Sequence, residues 1–456
     1  MKRLSKIAIL LLIFSVSTSL YAQKQWTLQE CIQYALENNL NIKQQSLSIE
    51  RDYNQLQQSK WALAPSLGIS AQYSFSWGLT PNLQDFSIRE NELTQTGIAS
   101  IGSELDIYKG SQKVNTIKSY QAQLKISGQE VEELKNNISI EIARTFLQVI
   151  LAQEIVETAK QSHQSVTEQV ARTQKLVDAG NLAHSSLLEM QAQLATEQVQ
   201  VVNAENQLRT NYLTLVQLLD LSNEADFKIL IPQIQVDTTL FIGANTDNLY
   251  QISQSLPRIK IGEYTLQKSE HQLAVSKGQR APTLSLSAGF KTIFDPTYSI
   301  YKENINDPLN PINEKVPFFT QLNDRKNPTV SLSLSIPILS GRAISTNIRN
   351  AKLGVQQAQI DMRNRQQALY KEIQQANNDA ISAFERYKAT LHNVRSMEES
   401  FRYVQQKLDV GMLNGTDFTV AKTNLFRAQS DNLQAKYQYV FQLKILDFYK
   451  GIPISL

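Results

Sequence analysis

Reaction chemistry in a chain of 456 residues is usually marked by histidines, cysteines and clustered acids, and here the first two are scattered. The histidines are His163, His184, His271 and His392. No H-x-x-x-H pair joins any of them, and no G-x-S-x-G or G-x-x-x-x-G-K-S/T run occurs. They read as surface or hairpin-tip side chains. Cys31 is the only cysteine, so neither an intramolecular disulfide nor a cysteine metal cluster can form. No catalytic residue, cofactor or metal site is expected. The acids are better placed. Asp178, Glu189, Asp409 and Asp417 fall beside two glycine turns, at Gly180 and Gly411. Glu189 and Asp417 stand where a helix begins, and acids suit that position as caps and as partners of the helix dipole. Asp178 and Asp409 stand in the last turn of a helix, where the dipole disfavours a negative charge. Capping does not explain those two; a pore or partner contact does, as does a solvated turn.

Long helices must carry those turns. From Ser111 to Asp178 there is no proline, and Gly128 is the only glycine. Val131, Leu134, Ile138, Ile142, Phe146, Val149, Ala152, Val156 and Ala159 step by three or four. About 65 helical residues span roughly 100 Å. Gly180 closes this helix, and Ser186 with Glu189 reads as the capping box of the next. Leu187, Leu194, Val201, Leu208 and Leu215 recur at intervals of seven, a coiled-coil seam. The two helices form an antiparallel hairpin with its tip at Gly180–Ser186. Ala343–Val410 and Asp417–Tyr449 repeat the plan around Gly411 and Gly415. Trp26–Trp61 and Asn248–Gln279 read as shorter helices, ended by Pro65 and Pro282.

Each short helix leads into strands. In Leu67–Trp77 the apolar Leu67, Ile69, Ala71, Tyr73, Phe75 and Trp77 alternate with small or polar residues. Thr329–Ile338 repeats the pattern, and Thr96–Ile107 and Thr283–Phe290 are weaker copies. A tilted strand of about ten residues crosses an outer-membrane bilayer. Ser331, Ser333 and Ser335 suit a watery lumen, whereas Val330, Leu332, Leu334 and Ile336 suit lipid. Tyr73, Phe75 and Trp77 suit an aromatic girdle at the membrane interface. The alternative is a soluble sheet packed on a core, but the neighbouring helices offer no face to cover it. Between the strands lie a polar loop, Gly78–Gln95, and a proline-rich loop, Asp295–Pro328. Their tips, Ser87–Glu92 and Ile305–Lys315, are expected to face the cell exterior.

Lys2, Arg3 and Lys6 precede the apolar run Ile7–Val16, and Leu20-Tyr21-Ala22 ends in a small residue. Residues 1–22 therefore read as a signal peptide, with an unmodified mature start at Gln23. Removing those three cations brings the net charge from +3 to about zero, which argues against a nucleic-acid partner. No later apolar run is long enough for a transmembrane helix, so any membrane crossing must be a barrel.

The plan occurs twice. Gly110 and Gly341 are 231 apart, as are Gly180 and Gly411, and Val177-Asp178-Ala179-Gly180 aligns with Leu408-Asp409-Val410-Gly411. Pro65 and Pro282 are 217 apart, so 14 extra residues lie in the second interstrand loop. The expected divisions are a first repeat, 23–220 (strands about 66–78 and 95–108), and a mixed segment, 221–247. A second repeat, 248–450 (strands about 282–294 and 328–339), is followed by a tail, 451–456. Four strands cannot close a barrel; two, three or four chains would give 8, 12 or 16.

This order of elements, the duplication, Pro65, Pro282 and the glycine turns resemble the TolC family of outer-membrane efflux proteins. The Tyr/Phe-rich strand ending in Trp77 and the long proline loop resemble its members from the Bacteroidota. The resemblance implies a mainly α fold with a transmembrane β part. That part is a homotrimeric, 12-stranded barrel in outer-membrane lipid, standing on a periplasmic coiled-coil tunnel. The implied role is a passive exit duct of a tripartite efflux or type I secretion system. The implied partners are a periplasmic adaptor (a membrane fusion protein) and an inner-membrane pump of RND, ABC or MFS type. Some relatives are lipid-anchored at an N-terminal cysteine; Cys31 does not fit that role. In a trimer, Asp178, Asp409 and Asp417 become rings of three charges, and in the family an acid at the position of Asp417 helps close the entrance. This chain departs from the family's clasp at Val420 and Leu413, where some members carry an acid and an arginine. A soluble periplasmic coiled-coil scaffold or adaptor is the alternative function; it needs no lipid-facing belt.

Overall fold

Alternation of apolar and hydroxyl side chains yields one four-stranded antiparallel sheet in the computed structural model, which describes residues 25–81, 88–221, 227–232, 234, 236, 243–303, 309, 312–410 and 412–456. The expected signal segment, Ser87, most of Ile305–Pro311 and Gly411 lie outside the described residues. The sheet is built from β2 (Ser66–Pro81), β3 (Ile88–Lys109), β5 (Thr283–Phe294) and β8 (Asn327–Ser335), in the order β2-β3-β5-β8. The hairpin of the first half thus pairs with that of the second, through β3 and β5. The outer edges of β2 and β8 pair with no other described strand.

Several boundaries differ from the expectation. The ladder continues past a bulge at Gly78–Thr80, with Gly78 at φ +129°, so much of the expected loop Gly78–Gln95 is strand. β8 ends at Ser335 rather than Ile338: Ser335 pairs with Thr283, the first residue of β5, and the next partner would be Pro282, which has no N–H for the ladder. The proline-rich loop holds a small hairpin, β6 (Ser299–Lys302) with β7 (Ile312–Lys315), and a short helix, α7 (Phe318–Asp324).

The first helical stretch is split as well. Thr27 and Glu30 form a capping box at the start of α1 (Leu28–Asn38). Trp26 lies in a two-residue strand β1 (Gln25–Trp26), parallel to β4 (Lys228–Ile229) from the mixed segment. Asn39 then interrupts the helix. Its Oδ1 accepts the amide of Asn41 at 2.9 Å, starting α2 (Leu40–Trp61). In the second half Pro257, lacking an N–H, separates α5 (Thr246–Ser253) from α6 (Pro257–Gly278). The long elements are α3 (Gln112–Asp178), α4 (His184–Leu218), α8 (Ala343–Asp409) and α9 (Gly415–Tyr449). No described helix is long and apolar enough to cross a membrane.

Two compact units result, each drawing on both sequence halves. One comprises Ser48–Gly128 and Ile261–Met362 and contains the sheet. In the same unit Asp52 is buried and accepts Ser127 Oγ and, at 3.0 Å, Gln123 Nε2, while Lys268 Nζ donates to Gln123 Oε1 at 2.6 Å. Burial alone would raise the Asp52 carboxyl, but these donors and Arg51 outweigh it and hold the group below its ordinary value. The other unit gathers Gln129–Lys260 and Arg363–Leu456 with the segment up to Leu47. Its core lies along the hairpins, in clusters such as Val156, Ala159, Val201 and Ala204, and Phe384, Tyr387, Ala435 and Tyr439. Cys31 is fully buried there, inside α1. Tyr437 Oη donates to Glu154 Oε1 at 2.7 Å, tying α9 to α3; burial and that carboxylate both push the phenol well up.

The turn from β3 into α3 passes against the end of α6. Gly110 has φ +57°, and a Cβ on it would collide with the Gly278 carbonyl; a Cβ on Gly278 would collide with the Gly110 carbonyl. Gly110→Ala and Gly278→Ala should each destabilise the protein by about 2 kcal/mol or more, through overpacking and, at Gly110, a strained φ. Gly102→Ala, which meets nothing within 4 Å, should cost far less. Thermal unfolding in detergent checks this; equal melting of all three variants would contradict it.

Candidate functional site

The two hairpin tips are built alike. At the first, Gly180 takes φ +75°, and the Asn181 amide donates to the Leu176 carbonyl at 2.9 Å. At the second, the Met412 amide donates to the Lys407 carbonyl at 2.8 Å, the same bond 231 residues on. Both are six-to-one bonds, and at the first tip the bond closes the helix on the left-handed Gly180. Gly411 and the side chain of Asp409 lie outside the described residues. Asp178 is exposed at the end of α3, and its Oδ1 accepts Gln174 Nε2 at 2.7 Å. Asp417 is exposed in the first turn of α9, and the cap of that helix is Asn414, whose Oδ1 accepts the Asp417 amide at 2.9 Å. Capping therefore does not occupy the Asp417 carboxylate. The capping box expected at Ser186 does not form: α4 begins two residues earlier, behind Ala183, which has no side-chain acceptor.

The tips meet each other. Gly415 is buried, and a Cβ on it would lie 3.0 Å from Glu189 Oε2. Val166, Met190 and Phe418 form a buried cluster with Val170, Leu194, Phe401, Val404 and Leu408 packed on it, so α3, α4, α8 and α9 all contribute. Within this region sit charges that sequence reasoning missed. Glu197 is 4% exposed and Lys422 8%. Gln193 Nε2 donates to Glu197 Oε1 at 2.8 Å, and Lys422 Nζ lies 4.9 Å from the centre of the Phe401 ring. Burial pushes the Lys422 ammonium below its ordinary value, and the Glu197 charge opposes that shift. A signal existed: Glu197 lies seven residues after Met190 and seven before Ala204, both buried, so a charge occupies a core position of the seam.

The sheet has one mainly apolar face and one mainly small or polar face. Directly opposed residues share a face. Ile69 opposes Ile101, which opposes Phe290; Leu105, Leu286 and Leu332 form another row. On the other face Gly102 lies between Gly68 and Gly289, and Ser287 opposes Ser331, with Ser70 Oγ 2.8 Å from Ser100 Oγ. The apolar face is bare: Ile69 is 79% exposed and Val330 77%. Tyr73, Phe75 and Trp77 lie on it in a row, with ring centres 5.1 and 6.4 Å apart.

A bare apolar face backed by a hydroxyl face, joined to helical hairpins, defines a barrel-forming outer-membrane channel. A profile of the outer membrane efflux protein family matches residues 31–220 and 248–451. Outer membrane protein TolC of Vibrio cholerae is 20% identical over 453 residues, 97% of this chain and 94% of its own. The alkaline protease secretion protein AprF of Pseudomonas aeruginosa is 19% identical over 422 residues, 92% of this chain and 83% of its own. The CmeC outer membrane channel of Campylobacter jejuni shares the fold, with a TM-score of 0.74 at 16% identity over 94% of this chain and 86% of that one. The chain belongs to the outer membrane efflux protein family. It is an outer-membrane efflux channel with a helical periplasmic part, and not an enzyme.

Glu197 and Lys422 are opposite charges buried in the same region, and removing one takes away charge compensation from the other. Glu197→Gln and Lys422→Met should each cost about 1–3 kcal/mol, and the double variant should recover most of the loss. The folded state holds the Lys422 proton less tightly than the unfolded chain does. Stability from this group therefore rises with pH, from the lowered value up to the ordinary lysine value. Glu197→Gln should widen that alkaline window. Melting curves across alkaline pH read both effects; additive losses in the double variant would contradict the coupling.

Proposed function

We propose that three copies of this chain close one 12-stranded barrel and act as the passive exit duct of a tripartite efflux or type I secretion system. The observation that carries this reading is the four-stranded sheet with one lipid-compatible face, one hydroxyl face and two open edges. Outer-membrane barrels begin at about eight strands, so one chain is too few. Three is the number that the family resemblance supplies. The repeats 23–220 and 248–450 each contribute a barrel hairpin and a helical hairpin, joined by 221–247 and followed by the tail 451–456; residues 1–22 direct export. Tyr73, Phe75 and Trp77 form an interface girdle against outer-membrane lipid.

The periplasmic tips are the gate and the site of adaptor contact, with Asp178, Gly180, Asp409, Gly411 and Asp417 at the entrance. The energised partner is an inner-membrane pump of RND, ABC or MFS type, reached through the periplasmic adaptor. AprF is named for protease secretion and CmeC is an outer membrane channel. The exit-duct role is common to both kinds of export. Contacts at the exposed tips are worth about 1 kcal/mol or less each, weak enough for a docking adaptor to replace.

Planar-bilayer recordings test the gate. The purified protein should conduct ions, and Asp417→Ala should change conductance or cation selectivity severalfold with little change in melting temperature. Wild-type conductance and selectivity combined with a much lower melting temperature would make Asp417 part of the helix start and not of the gate.

A further inference from the structure

The 14 extra residues of the second repeat fall in the connection between β5 and β8, which holds a small structure with no counterpart among the described residues of the first repeat. Its centre is α7, seated on the apolar face of the sheet. Phe294 and Phe318 meet edge to face, with ring centres 4.7 Å apart. Thr292 Oγ1, on the same face, donates to the Leu322 carbonyl at 3.0 Å. Gln321 is 1% exposed and locks the helix to the end of β5. Its Nε2 donates to the carbonyls of Asp295 and Val316 at 2.9 and 2.8 Å, and its Oε1 accepts the Asp295 amide at 2.9 Å. A loop held by three such bonds through one buried side chain has a fixed position.

That position extends the aromatic row. Tyr73 on β2 lies 6.5 Å from Phe294 on β5, reaching across β3. Gly97 of β3 makes this approach possible, since a Cβ there would press on both rings. From Phe294 the row passes to Phe318 and then to Phe319, 5.2 Å on and 80% exposed. Just beyond α7 the side chains turn cationic. Arg325 lies over the Tyr298 ring at 4.5 Å, which fixes its guanidinium in place, and Lys326 is exposed beside it.

β5 leaves α6 and β8 leads into α8, so α7 lies at the end of the sheet away from those helices. With the helices periplasmic, that end faces the outer leaflet. We propose that α7 is an interfacial lipid-binding foot. Phe318 and Phe319 dip into the upper acyl region of the outer leaflet, and Arg325 and Lys326 engage the phosphate-bearing headgroups above. The occupant follows from continuity: the foot stands on the face that lipid already covers and carries that face's aromatic row outward. An apolar tip below fixed cations is the composition of an interfacial anchor. The inference rests on the reading that the apolar sheet face meets lipid, and the test separates the two.

Single cysteines at Phe319, Val330 and Ser331 accept a nitroxide label, while native Cys31 is fully buried. The full-length protein is reconstituted in vesicles of zwitterionic phospholipid with and without anionic lipopolysaccharide. Accessibility to oxygen and to a water-soluble nickel chelate then reads depth. The expected result is a deep label at Val330, an aqueous one at Ser331, and at Phe319 an oxygen-accessible, chelate-protected label just below the headgroups. Arg325→Gln with Lys326→Gln should move the Phe319 label toward water only where lipopolysaccharide is present. A Phe319 label open to the chelate while Val330 remains deep would overturn the foot and leave the sheet reading intact. A Phe319 label shielded from both probes would overturn it in favour of contact between copies of the chain. An aqueous Val330 label would overturn both readings, and no shift in the double variant would overturn the headgroup contact.

Discussion

Hydrocarbon offers no hydrogen bonds, so no strand edge can rest in it unpaired. This constraint governs the molecule. The chain carries enough apolar alternation to build a sheet with a lipid face, yet its four strands end in two free edges, β2 and β8. The backbone groups of those edges must find partners, and nothing else among the described residues supplies them. In the proposed trimer, a second and a third copy of the same chain do. On that proposal the barrel is a property of the assembly, whereas the two faces of the sheet are already set by the register within one chain. Opposed pairs such as Leu286 with Leu332 and Ser287 with Ser331 give the two faces their different character.

The helical part obeys a different rule. Its hairpins close on themselves along apolar seams, and the two tips pack together through Met190, Phe418 and the close approach of Gly415 to Glu189. At the ends, Asp178 and Asp417 are exposed beside turns that share one backbone bond, Asn181 to Leu176 and Met412 to Lys407. Farther in, Glu197 and Lys422 place opposite charges in a buried interface between α4 and α9. Opposite charges buried near one another contribute little net stability, but they penalise arrangements that leave either one uncompensated. The tips thus combine a packed interior with exposed acids at the rim, as the proposed gate requires.

Much of this was legible in the sequence because it depends on periodicity. Period two gave the strands, the seven-residue seam from Leu187 to Leu215 gave the first hairpin, and the offset of 231 gave the duplication and the matching turns. What escaped depends on single residues in three dimensions. Asn39 interrupts a helix that its apolar spacing would continue, because its side chain accepts an amide two residues on. Ala183 starts a helix without a cap, ahead of the Ser186 and Glu189 pair that resembles one. The charge of Glu197 was hidden by reading only one of the two core positions in each heptad. The helix α7 is too short for periodicity to register, and only the contacts of Thr292, Phe294 and Gln321 show that it is fixed.

The central claim is that β2 of one chain pairs with β8 of the next and that three chains complete the circle. Cysteines introduced at Ile69, Ala71 or Tyr73 of β2, combined with one at Val330, Leu332 or Leu334 of β8, would test it in the outer membrane of intact cells. After oxidation, at least one combination should give disulfide-linked species that stop at three chains on a denaturing gel. No interchain linkage from any combination in correctly inserted protein, or a ladder that continues beyond three, would contradict the account.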